Sequence, residues 1–477
     1  MRLIRISVVC FLLLCANHLA WPLPIRVLAT GDMHGWLEAQ PAGKQQLGGA
    51  AEMLACWERV EKYSPKRFLV VACGDIATGP ALSTIFKGEP VIEAMNRMGY
   101  DACVVGNHEF DFGLDNLAKW ERSAKFPFLA ANLSKPDGAP SDMVLPYMLY
   151  DEQGVKVGVI GLATQGVERI ANTAGLLGQP YVETLRKWVP QLRAKGARMV
   201  VVVAHAPMAD LVELAKAVGD LDIPLMLGGH SHELGQIKVQ NTWVVNSGEW
   251  WRGYSRIDLD YDPETGKAIV LAAKQVWLQQ ANPRSDRRVA QEIARWHRSM
   301  QAEFRVPMGY TASGLQRSAG LYNFVLDCWL AMDSRADIAL SNYGSLRQDI
   351  PPGPITKETF VGVMPFTNSL LRLTLTGDQL LTYLPKDGSI GMAGLRWQGG
   401  KFIVAKTGEQ VDPQATYRVL INDYMYNTNR MLQVADPKPE RVYEDWRQPV
   451  YDWLASHPSS KDKPLETLVD LRPRNVP

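Results

Sequence analysis

The run Ala102-Cys103-Val104-Val105 passes directly into Gly106-Asn107-His108-Glu109-Phe110-Asp111-Phe112-Gly113. A short apolar, β-branched run suits a strand buried on both faces, and the glycine after it suits a tight turn. That turn carries side chains able to bind a metal or move a proton. The same order recurs along the first half of the chain. Asp32-Met33-His34 follows Ile25–Leu28, and Gly74-Asp75 follows Phe68–Val71. His205 follows Met199–Val203, and His230-Ser231-His232 follows Leu225–Leu227. Val155–Ile160 and Val244–Val245 are further runs of this kind, and Tyr254–Asp262 suggests some antiparallel pairing. The pattern is that of a layered α/β domain. In such sheets ligands gather at the carboxyl ends of strands, so the five polar segments can converge.

Five of the eight histidines fall in those segments, at positions 34, 108, 205, 230 and 232, while His18, His297 and His457 lie elsewhere. Imidazole mixed with carboxylate suits Zn, Mn, Fe or Co, whereas calcium calls for a nearly all-oxygen shell. Each histidine alone reads more naturally as structural. Together, at successive strand ends, they read as a metal centre.

Length and composition set the frame. A chain of 477 residues is too long for one ordinary core and suggests two domains. With 46% hydrophobic and 21% charged residues it reads as globular. A net charge of +1 argues against a surface that coats a nucleic-acid polymer. Arg2 and Arg5 precede the apolar run Ile6–Leu14, with Trp21-Pro22 shortly after, so residues 1–20 read as a secretory signal peptide and the protein as exported. The run is too short to span a bilayer, so no stable membrane span is expected after signal removal. Cys56, Cys73, Cys103 and Cys328 remain beyond it, too scattered for a disulfide-built fold. Residues 276–308 form a connection: Val289, Ile293, Trp296, Met300 and Phe304 recur at helical spacing, with Ser285 or Asp286 placed to cap. A second α/β unit follows at 309–477. It has a helix near Leu321–Met332, strands at Ile338–Leu340, Leu371–Thr376 and Tyr417–Ile421, and a helix around Trp446–Ser456.

These motifs resemble the calcineurin-like metallophosphoesterases, and among them the bacterial periplasmic 5'-nucleotidase and UDP-sugar hydrolase family. The residues that carry the likeness are Asp32-x-His34, Gly74-Asp75, the run Gly106–Gly113, His205 and Gly229-His230-Ser231-His232. The resemblance implies an α/β fold: a four-layer metallophosphoesterase sandwich at 21–275, then a smaller α/β 5'-nucleotidase C-terminal domain. It implies two divalent ions (Zn, Mn, Fe, Co or Mg). Asp32, His34, Asp75 and His232 would surround one, and Asp75, Asn107, His205 and His230 the other. Cations sharing Asp75 would activate one water as the hydroxide nucleophile. His108 and Asp111 would form a catalytic dyad, with support of the metal ligands as the alternative role.

In the second half, Asn342-x-Gly344-x-x-Arg347 and Pro365-Phe366-x-Asn368 resemble the same family's nucleotide-binding segments. Transferred by position, Arg317 and Arg347 would meet phosphate or carboxylate groups. Asn342 would hydrogen-bond the substrate, and Phe366 with Tyr424 would sandwich a base, unless these two are plain core aromatics. The chain departs from the family at Asn427-Thr428-Asn429-Arg430, where Gly-Gly-Asp-Gly is usual, and at Ser318, Tyr343 and Ser345. Phosphate ester or anhydride cleavage on a small phosphorylated molecule, a nucleotide first among them, stays the expectation. Ordinary nucleoside monophosphate specificity stays open, with 2',3'-cyclic phosphodiesterase and UDP-sugar hydrolase as alternatives. A thiosulfohydrolase and a catalytically silent nucleotide-binding protein are readings of another class.

Overall fold

The computed structural model describes residues 23–476, apart from 66, 153 and 281–283; the signal-peptide reading of residues 1–20 lies outside them. Two six-stranded sheets form the first half. One runs in the order Lys267–Trp277, Gly253–Asp262, Leu23–Thr30, Leu69–Ala72, Ala102–Val104, Phe128–Leu129. Its last four strands are parallel, and the first two join as an antiparallel hairpin. The other runs Leu234–Val239, Thr242–Ser247, Leu225–Gly228, Met199–Ala204, Val155–Leu162, Tyr147–Glu152. Its four central strands are parallel and both edges antiparallel.

The period of two along each strand explains the layers. Val27, Leu69, Val71, Val157, Val201, Val203 and Leu227 point between the sheets and form one core. The alternate residues Leu28, Val70 and Ala72 face outward onto the helices that carry Met53, Met95 and Trp120. On the far side Val200 and Val202 meet Leu185, Val189 and Leu214. The result is a four-layer helix–sheet–sheet–helix sandwich: the continuous apolar runs implied a layered α/β domain, and the family resemblance its four layers. Each fully buried aliphatic side chain contributes about 1.5–3 kcal/mol.

The connecting helix spans Arg287–Ser299, capped by the Asp286 carboxylate, which accepts from the Arg288 and Val289 amides at 3.0 and 3.1 Å. Val289, Ile293 and Trp296 pack into the outer layer of the first sheet. The helix is shorter than its apolar spacing suggested. Met300 adopts an extended backbone and drops into the same core, so Phe304 falls on a separate turn at Ala302–Arg305.

The second half is built on a five-stranded sheet, Gly391–Ala393, Ile338–Ser341, Thr416–Asn422, Leu370–Thr376, Glu440–Tyr443. Helices Ala319–Met332 and Gln448–Ser456 cover one face through Phe324, Trp329, Val450 and Trp453. Leu371, Leu373, Val419 and Ile421 build a core on the other face. Cys56, Cys73, Cys103 and Cys328 are buried and free. Among the described residues no helix is long and apolar enough to cross a membrane.

Candidate metal centre

Both sheets of the first half send the carboxyl ends of their parallel strands to one edge, and there the five polar segments meet. Donor atoms of Asp32, His34 and His232 lie within 4.8 Å of one another, as do those of Asp75, His205 and His230, and those of His34, Asp75 and His108. Asp75 stands between them. Its Oδ2 is 3.0 Å from His205 Nε2, 3.9 Å from His34 Nε2 and 4.0 Å from His108 Nε2.

The turns that carry these groups are tied to each other. The His34 amide donates to the Asp75 carbonyl at 2.9 Å, and the Asp32 amide to that of Gly74 at 3.2 Å. Asp32 accepts from the His230 amide, and Asp75 Oδ1 from the His108 amide, each at 2.9 Å. Glu109, fully buried, accepts from the Asp75 and Ile76 amides at 3.0 and 2.8 Å and from that of Gly106. Five side chains of the centre sit on left-handed backbone: Asp32 (φ 49°), His34 (45°), Asp75 (52°), His230 (74°) and His232 (60°). Such conformations cost about 1–3 kcal/mol each and persist where the surroundings over-determine them, as this lattice of bonds does.

Without cations the charges in this pocket oppose one another. Burial pushes the Asp32 carboxyl up to about 6, with His205 pulling it back and Asp75 adding to the rise. Burial also raises Asp75, but the neighbouring His205 and His108 win and hold it well below the usual carboxylate range. His205 goes the other way. Its burial is outweighed by Asp75, then Asp32 and Glu109, and its pKa rises to about 10. His230 falls to about 4 through burial and the nearby His205. Mixed oxygen and nitrogen donors in this density fit divalent cations of the Zn, Mn, Fe or Co type. The buried Asn107 Oδ1, which has no hydrogen-bond partner among the described residues, fits the same purpose.

His108 Nδ1 lies 2.8 Å from Asp111 Oδ2. Burial would lower this histidine, yet Asp111 and Asp75 raise it above its ordinary value. From the second half, Phe366 stacks on the His108 ring at 5.7 Å and 19°. Arg347 places Nη2 3.3 Å from His34 Nε2, its guanidinium 6.0 Å from the Phe366 ring centre. Arg317 and Asn342 make their hydrogen bonds within the second half. Arg317 bonds Asp349 Oδ1 through its amide at 2.7 Å and the Arg347 carbonyl through its guanidinium at 3.1 Å. Asn342 Oδ1 accepts from Asn422 Nδ2 at 3.2 Å. Tyr424 is 40% exposed, its hydroxyl pushed up by burial and by the charge of Asp111.

One residue of the centre went unnoticed in the sequence. Glu249 Oε2 lies 2.5 Å from His232 Nδ1. It follows strand Thr242–Ser247, so the rule that selects polar residues after apolar runs also covers it.

Comparison with known proteins finds a family match for each half of the chain. Residues 25–234 match the calcineurin-like phosphoesterase family, and residues 301–436 match the 5'-nucleotidase C-terminal domain. Endonuclease YhcR of Bacillus subtilis (strain 168) is 26% identical over 456 residues, which take in 84% of this chain and 37% of that protein. Protein UshA of Escherichia coli (strain K12) is 26% identical over 463 residues, 83% of this chain and 84% of that one. In architecture, the crystal structure of a 5'-nucleotidase precursor from Thermus thermophilus superposes with a TM-score of 0.80 at 24% identity, covering 95% of this chain and 100% of that one. Two family models thus account for both halves of the chain, and both describe phosphoester hydrolases: the chain belongs to the calcineurin-like phosphoesterases that carry a 5'-nucleotidase C-terminal domain.

Proposed function

We propose that the protein is an exported, two-metal phosphohydrolase that cleaves phosphate ester or anhydride bonds of nucleotides or related phosphorylated metabolites. Residues 21–275 supply the metal ligands and the dyad, and residues 309–477 the substrate contacts. One observation carries the reading. The Asp75 carboxylate lies between His34 and His205, at 3.9 and 3.0 Å, so that it can serve two ligand clusters at once.

Asp32, His34 and His232 would hold one cation, and Asn107, His205 and His230 the other, with Asp75 common to both. A bound pair of divalent ions supplies water activation and neutralises charge on a phosphoryl group. The chain's own groups do the rest. His108, its protonated form favoured by Asp111 and Asp75 against burial, donates a hydrogen bond to the phosphoryl oxygen and can pass a proton to the leaving oxygen. Arg347 meets the phosphate from the opposite domain, aided by Arg317. Phe366 and Tyr424 offer aromatic faces to a base, and Asn342 a hydrogen bond.

A panel of mono-, di- and cyclic nucleotides, sugar nucleotides, non-nucleotide phosphates and a thiosulfonate, assayed with metal content measured, tests this. Phosphate release that tracks bound metal supports it. Sulfate release alone, or nucleotide binding without turnover by the metal-loaded protein, overturns it.

A further inference from the structure

The four imidazoles assigned to the cations are not held alike. His34 Nδ1 lies 3.1 Å from the Thr78 carbonyl oxygen, and His205 Nδ1 lies 2.7 Å from that of Cys73. Each ring can donate from Nδ1 to a neutral acceptor and turn Nε2 inward. His230 turns Nδ1 toward the centre instead, 3.1 Å from His205 Nε2. His232 differs from all three, because a carboxylate, Glu249, faces its Nδ1 at 2.5 Å while its Nε2 points at His34 Nε2, 3.0 Å away.

Glu249 is fixed in place. Its second oxygen lies 3.5 Å from Arg252 Nη1. The Arg252 guanidinium packs 4.3 Å from the centre of the Trp250 ring and donates to Gln40, and Trp250 stacks on Trp36 at 4.9 Å. The Trp250 amide donates to the Asp32 carbonyl at 2.9 Å, which ties this turn to another proposed ligand. A carboxylate held against the outer nitrogen of a ligating histidine fixes its tautomer and strengthens its donor nitrogen, and its loss costs about 10–100-fold in metal affinity.

We propose that Glu249 is the positioning residue of His232 and selectively sets the affinity of the Asp32, His34 and His232 site. This rests on the two-metal reading above. Arg252 and Trp250 act through Glu249, as the support that stops its carboxylate swinging away.

Titration of the metal-free protein with Co²⁺, followed by visible absorption and calorimetry, tests it. Wild type takes up two equivalents. In Glu249→Ala one of the two weakens about 10–100-fold and the other is unchanged. Glu249→Gln, which keeps the shape and an acceptor but not the charge, falls between. Glu233→Gln, an exposed carboxylate that bonds Ser231, binds as wild type. In the double variant with His232→Ala, loss of Glu249 adds nothing, because the ring it serves is gone. The proposal is overturned if Glu249→Ala binds both equivalents as tightly as wild type, weakens both equally, or adds its own loss to that of His232→Ala. A wild type that takes up no pair of cations overturns the two-metal reading itself and this assignment with it.

Discussion

Arg347 crosses from the second domain to place Nη2 3.3 Å from His34 Nε2 in the first. Burial pushes its pKa below the ordinary guanidinium value, with Asp75 opposing that shift. A half-buried cation beside cation ligands is poorly placed unless an anion joins them, and a substrate phosphate is such an anion. Arg347→Ala should therefore lower kcat/KM about 10–100-fold, the worth of a charged hydrogen bond, and leave metal content intact. Arg347→Lys should recover part of it, since a point charge replaces the fork. Initial rates with parallel metal analysis check this. A variant that loses its metals together with its rate would show Arg347 to be a support of the centre.

His108 and Asp75 are neighbours with separate tasks. His108→Ala should keep both cations and lower kcat about 10²–10⁴-fold. Asp75→Asn should weaken both sites, because one carboxylate faces both clusters. Asp111→Asn should move the alkaline limb of the kcat profile to lower pH, since Asp111 contributes to raising the His108 pKa. Metal analysis of the purified variants and pH–rate profiles decide. Equal metal loss in His108→Ala and Asp75→Asn would contradict the division.

The sequence disclosed these roles unevenly, for physical reasons. Ile25–Leu28, Val155–Ile160 and Met199–Val203 were legible because both faces of each strand are buried, which leaves unbroken apolar runs. The edge strands Tyr147–Glu152, Leu234–Val239 and Lys267–Trp277 escaped notice because half their positions face solvent and carry polar residues such as Gln236 and Lys274. Metal-type residues were legible because each follows a strand closely. Glu249 follows Thr242–Ser247 just as closely, but its contact with His232 depends on how two neighbouring strand ends pack, which no local spacing records. The approach of Arg347 to His34, 313 positions away, follows from domain docking, which no local pattern records.

Asp101 offers a test of stability away from the metals. Its Oδ2 accepts from the Val70 amide at 2.8 Å, yet burial wins and raises its pKa from 3.8 to about 7. The folded protein thus holds a proton on this carboxyl that the unfolded chain has released between those two values. Folding stability should fall as pH rises through that window and level off above about pH 7. Asp101→Asn keeps an acceptor for Val70 without the charge, so it should flatten this dependence and stabilise the protein at pH 8 by about 1–2 kcal/mol. Denaturant melts of both proteins at pH 5 and pH 8 measure it. A variant less stable at pH 8 would show that the carboxylate is favoured in the fold.

Glu109 carries the joint between two ligand turns. Its Oε2 accepts from the Asp75 and Gly106 amides and its Oε1 from that of Ile76, with the side chain fully buried. A carboxylate has two acceptor oxygens and no donor when ionised, which suits three converging N–H groups. A glutamine has one, so in either orientation its NH₂ would face at least one backbone donor. Glu109→Gln should then destabilise the fold by about 1–3 kcal/mol, the cost of a buried donor left without a partner. Melts in a chelator isolate this effect, because any loss of bound cations is then common to both proteins. Weaker metal binding by the variant should follow as a consequence, since Asp75 and Asn107 sit on the turns that Glu109 joins. Unchanged chelator melts would mean that the turns hold their shape without it.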